Sequence, residues 1–143
     1  MPHRKLTFLT IALLVFLGFT ALVGSIPMMA HPEGNSTTLP LSTLAYSPFH
    51  SYLIPGILLF TSNGVLAFFI LWLLATRAAY YGLWTAFQGC VLLGWLVAEC
   101  WLLRMVIWLH YFYGAIALAL LVCGLIMWRK GIRADKRPET RSA

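Results

Sequence analysis

Charge is scarce in this chain, and acid is scarcest. Of its 143 residues, four are Asp or Glu and ten are Lys or Arg. Charged residues make up 10% of the chain, against about 25% in soluble domains. Hydrophobic residues make up 61%, and mean hydropathy is +0.84. A soluble fold could not cover that much apolar surface.

Other absences narrow the chemistry. There is no Cys-x-x-Cys pair. Cys90 and Cys100 lie about 15 Å apart if both stand on one helix, beyond disulfide reach. This argues against a thiol–disulfide enzyme, and Cys90, Cys100 and Cys123 are expected as buried free thiols. No catalytic motif and no internal repeat is recognisable. The net charge of +6 does not indicate nucleic acid, because the basic residues flank apolar runs and form no stripe.

Those apolar runs dominate the chain. Leu6–Ile26, Tyr52–Thr76 and Met105–Trp128 hold no Asp, Glu, Lys or Arg, and Leu83–Leu103 holds one, Glu99. Each is 21 to 25 residues long. At a rise of about 1.5 Å per residue, each can cross a hydrocarbon core of about 30 Å. The expected fold is all-α: a single-domain integral membrane four-helix bundle. An outer loop spans 27–51 and a basic tail spans 129–143, the tail being expected as disordered.

Charge asymmetry orients the bundle. Arg4, Lys5, Arg77 and the six basic residues after Trp128 fall on one side, and Arg104 alone falls on the other. The positive-inside rule places both termini in the cytoplasm. The tail would then meet anionic lipid, at roughly 1 kcal/mol per basic residue. A competing reading takes Arg4, Lys5 and the first apolar run as a signal peptide cleaved near Ala30. The 21-residue run exceeds the usual length of about 7–15, and Met28 is a poor cleavage context.

Pro27 is expected to close the first span. In the outer loop, Asn35-Ser36-Thr37 forms a glycosylation sequon relevant to a eukaryotic secretory setting only. Trp72, Tyr80, Tyr81, Trp84 and Trp128 form an inner aromatic belt. Tyr46, Tyr52, Trp101, Trp108, Tyr111 and Tyr113 form an outer one. Small residues mark helix seams: Ala115, Ala119 and Cys123 in span four, Gly89 and Gly94 in span three, Gly56 and Gly64 in span two.

Few polar groups are left to carry chemistry. Gln88, Leu92, Trp95 and Glu99 are spaced four, three and four apart, so they share one helix face, expected to be interior. Glu99 lies about one turn inside the outer end of its span, where a carboxylate costs a few kcal/mol. It suits proton handling or ligand binding. The plainer alternative makes it a partner for Arg104 or His110. Asn63, mid-span, needs partners in hydrocarbon, and Gln88 can supply one. His31, His50 and His110 fall on the outer side, where convergence with Glu99 would suit a metal or a bis-histidine haem. Met28, Met29 and His31 are soft enough for copper(I).

The run Ser47-Pro48-Phe49-His50-Ser51-Tyr52-Leu53-Ile54-Pro55-Gly56-Ile57-Leu58-Leu59-Phe60 resembles the start of the second span in small bacterial four-span inner-membrane proteins. The Glu-bearing third span and the short hairpin to span four are similar too. The resemblance implies a four-helix bundle in a bacterial plasma membrane and carries no activity onto any residue. The expected role is non-enzymatic: an accessory, assembly or regulatory subunit, or a small ligand-binding membrane module, with a membrane-protein partner or as a homo-oligomer. The rivals are a redox or metal-binding protein using His50, His110 and Glu99, and a small oligomeric transporter using Asn63, Gln88 and Glu99.

Overall fold

Four long helices follow from the four apolar runs. The computed structural model describes residues 2–34 and 40–135, so the sequon and residues 136–143 lie outside the described part. Helix α1 is Pro2–Ala30, α2 is Leu53–Ala75, α3 is Tyr81–Leu103 and α4 is Trp108–Asp135. The described part is all-helical, with no strand among the described residues. All four helices are long and apolar enough to cross a membrane. Their ends define a termini end and a loop end, the latter carrying the α1–α2 connection and Arg104.

The helix boundaries depart from the sequence expectation in places. Helix α1 does not stop at Pro27 but runs through it to Ala30. The Pro27 ring removes one intrahelical donor, yet its own carbonyl still accepts the His31 N–H at 2.9 Å. Long apolar helices tolerate such a proline because the rest of the ladder stays paired. Helix α3 begins at Tyr81, two residues early, after Arg77 and Tyr80 take positive φ values of 50° and 65° to turn the chain. Helix α4 does not end at Trp128. It carries Arg129, Lys130 and Arg133 on further turns to Asp135.

The core joins all four helices. Leu14 and Leu17 of α1, Ala67 and Ile70 of α2, Leu92 and Leu96 of α3, and Ile116, Ala117 and Leu120 of α4 form one buried cluster. The outward faces remain apolar: Phe8, Phe19, Trp72, Trp101 and Trp108 are each more than half exposed. Exposed apolar faces of this extent mark contact with a membrane or with another protein. Cys90 is exposed on one of them, contrary to the expectation of a buried thiol, whereas Cys123 is buried.

Helices α3 and α4 pack most closely, toward the termini end, at Gly89, which the small residues suggested, and at Gly82 and Gly124, which they did not. A Cβ on Gly124 would stand 2.3 Å from the Ala86 nitrogen, one on Gly82 2.5 Å from the Trp128 nitrogen, and one on Gly89 2.6 Å from the Ala117 oxygen. In lipid, contact of this kind drives helix association because water does not. Gly94 lies off this seam, exposed and beside Pro55 and Ser62 of α2, and a Cβ there or on Gly114 meets nothing within 4 Å. Ala115 is exposed and lies off the seam.

The loop end is roofed by the α1–α2 connection. Its 3-10 turn Leu41–Leu44 buries Leu44. Tyr52 is no belt residue. It is only 3% exposed, and its hydroxyl donates to the Pro40 carbonyl at 2.9 Å and contacts Thr43 Oγ1. A buried phenol keeps a polar partner, and this one ties the loop to the start of α2.

Candidate functional site

Beneath that roof lies a cavity of about 350 Å³ bordered by all four helices. Thr20 and Gly24 of α1, Asn63 of α2, Trp95 and Glu99 of α3, and His110 and Tyr113 of α4 stand in its wall, and leucines fill most of the remainder. The volume lies at the lower end of the range for small-molecule sites, about 300–1,000 Å³.

His110 reaches the wall through the local chemistry of the α3–α4 hairpin. Arg104 ends α3 with φ 50° and ψ 31°, and the following residues up to Ile107 are not helical, so α4 starts at Trp108, not at Met105. The first donors of a helix lack intrahelical partners. Here the Ile107 N–H donates to His110 Nδ1 at 3.2 Å, while the Ile107 carbonyl accepts the His110 N–H at 3.0 Å. This is one half of a capping box, with histidine in the place usually held by Glu or Gln and no N-cap side chain to complete it.

The cap fixes the tautomer. Nδ1 accepts, so the neutral ring carries its proton on Nε2. That Nε2 is buried and has no hydrogen-bond partner among the described residues. The His110 side chain is 7% exposed. Glu99 Oε2 lies 3.8 Å from Nε2, too far for a direct hydrogen bond. The pair is a donor and an acceptor held slightly apart.

Arg104 does not join them. Its guanidinium lies over the Tyr46 ring, 5.3 Å from the centroid. Of the two partners considered for Glu99, the fold therefore brings up His110. The histidines do not converge. His31 is exposed and lies 3.7 Å from Glu33, His50 is exposed, and only His110 lines the cavity. Among the described residues no group of three or more His, Cys, Asp or Glu is placed to hold a metal ion. Met28 borders the cavity, apart from His31.

A second polar cluster lies behind the cavity. Gln88 Nε2 donates to Asn63 Oδ1 at 3.2 Å and to the Ser62 carbonyl at 3.1 Å, the contact between spans that the sequence suggested. Asn63 Nδ2 donates to Ser62 Oγ at 3.1 Å, and Gln88 Oε1 is buried without a partner among the described residues. The backbone here is unusual. Phe60–Val65 is a π-helical turn, and the Leu66 N–H bonds the Thr61 carbonyl, five residues back. Thr61 and Ser62 hydroxyls return bonds to the Ile57 and Leu58 carbonyls at 2.8 and 2.6 Å. π-turns inside helices recur at functional sites. Nothing in the residue types Thr61-Ser62-Asn63-Gly64 announces the wider turn.

Sequence reasoning missed Thr20, Tyr113 and the cap that fixes His110. Thr20 is bonded to its own helix, at the Phe16 carbonyl, and gives no sequence signal. The His at the third helical position after a hairpin was a usable signal for the cap. No protein-family model, no curated protein and no solved structure matches this chain.

Proposed function

We propose that this protein is a small-molecule-binding module of a bacterial plasma membrane, without catalysis of its own. Its four helices span the bilayer, its termini lie in the cytoplasm and the roofed cavity faces outward. The observation that carries the reading is the cavity: it is bordered by all four helices, and its wall includes His110, whose buried Nε2–H has no partner among the described residues. An orphaned buried donor costs about 1–3 kcal/mol, which a bound molecule recovers. The orientation rests on Arg4, Lys5, Arg77, Arg129, Lys130 and Arg133 at the termini end against Arg104 at the loop end. The basic end of α4 meets anionic lipid there. Lipid covers the apolar outer faces, a second copy or another membrane protein can share them, and nucleic acid is no partner.

The test is organic extraction and mass spectrometry of the protein purified in mild detergent. A small molecule near one per chain, lost when Leu96→Trp fills the cavity, is the expected result. Recovery of equal amounts from both proteins would sink the proposal. The same sample, read by optical spectrum and metal analysis, separates it from the redox or metal reading. A haem band, or near one metal per chain lost in His110→Phe, would favour that alternative.

A further inference from the structure

We infer that the ligand is an uncharged, ring-bearing apolar molecule whose polar end is a hydroxyl seated between His110 and Glu99. The inference rests on the cavity being a binding site and names what it takes. His110 Nε2–H needs an acceptor, and Glu99 Oε2, 3.8 Å away, accepts a donor. An oxygen about 2.8 Å from each atom bridges them once small side-chain shifts admit it, since Nε2 is closed off in the unliganded arrangement. A hydroxyl accepts from the histidine and donates to the carboxylate at once, which few other groups do.

The alternatives fit worse. An anionic head meets Glu99 and no Lys or Arg in the cavity wall. An ammonium head offers no acceptor to Nε2–H, and the cap on Nδ1 keeps that proton in place. A lone water would have few other partners among mostly apolar walls, whereas buried waters make about three hydrogen bonds. Trp95, Tyr113 and Tyr52 in the wall present aromatic surfaces to a ring.

The experiment compares 1-naphthol with 1-methylnaphthalene, which has nearly the same shape and no oxygen. Binding to the full chain in nanodiscs is followed by equilibrium dialysis against empty nanodiscs. The expected result is one saturable naphthol site per chain, on the order of tenfold tighter than methylnaphthalene. That preference should vanish in His110→Phe and in Glu99→Leu, while both variants still bind methylnaphthalene, which shows them folded. Equal binding of the two probes by the unmodified protein, or a preference that survives both substitutions, overturns the hydroxyl assignment and leaves the cavity reading standing. No saturable binding of either probe overturns both.

Discussion

His110 Nε2 and Glu99 Oε2 face each other across 3.8 Å with nothing of the protein between them. The separation is imposed from outside the pair. His110 is held by the Ile107 N–H at the start of α4, and Glu99 is fixed on the last full turn of α3. The tautomer is therefore a property of the hairpin, independent of Glu99. In ¹⁵N spectra of imidazole-labelled protein above neutral pH, His110 is expected as the Nε2–H tautomer. It should remain so in Glu99→Gln. A switch to Nδ1–H in that variant would show that Glu99, not the cap, sets the ring.

The α3–α4 seam should tolerate nothing larger than glycine at its closest point. In Gly124→Ala the new methyl meets the Ala86 backbone, which cannot yield as a side chain would. Overpacking of this kind costs about 1–3 kcal/mol. Gly94→Ala, with open space around it, should leave stability unchanged. Unfolding midpoints in mixed micelles compare the two, and equal midpoints would remove the seam.

The bond from Gln88 to Asn63 should be modest, although it is buried. Hydrogen bonds between helices in lipid are worth about 0.6–2 kcal/mol, since the separated helices also find partners. A double-mutant cycle with Gln88→Leu and Asn63→Leu should return a coupling in that range. Additivity would mean that the Ser62 carbonyl, which Gln88 also bonds, carries the contact.

Tyr52→Phe should loosen the roof without unfolding the bundle. It removes the bond to the Pro40 carbonyl and the contact with Thr43, while the Tyr52 N–H keeps the Pro32 carbonyl at 2.9 Å. The expected loss is about 1 kcal/mol. Faster hydrogen exchange confined to Leu41–Leu44 and its neighbours is the readout. Exchange unchanged there would show that Leu44 packing alone holds the loop.

Orientation is tested by single cysteines placed in a background with Cys90, Cys100 and Cys123 replaced. In spheroplasts, an impermeant maleimide should label Ser47→Cys and spare Lys130→Cys. The reverse pattern would invert the topology.

The sequence carried the four helices because hydropathy is a local quantity. An uncharged stretch of more than about 20 residues needs no partner to reveal its length. It also carried the shared face of Gln88, Leu92, Trp95 and Glu99, and the pairing of Asn63 with Gln88, because helical periodicity and the cost of an unpaired amide are both local rules. Helix ends were read less well. Pro27 and Trp128 look like stops, yet α1 and α4 continue beyond them, because one lost bond or a few charges do not outweigh an intact ladder.

The site was decided by tertiary structure. Residue type allowed Glu99 to pair with Arg104 or His110, and three histidines to converge. Only the fold shows Arg104 turned onto Tyr46, His31 and His50 left exposed, and His110 capped on one ring nitrogen and orphaned on the other. Likewise every small residue was a possible seam, until close backbone approach selected Gly82, Gly89 and Gly124 and left Gly94 in open space. The physical reason is the same in both cases. Apolar character is written along the chain one residue at a time, whereas which donor lacks an acceptor depends on where four separate helices meet.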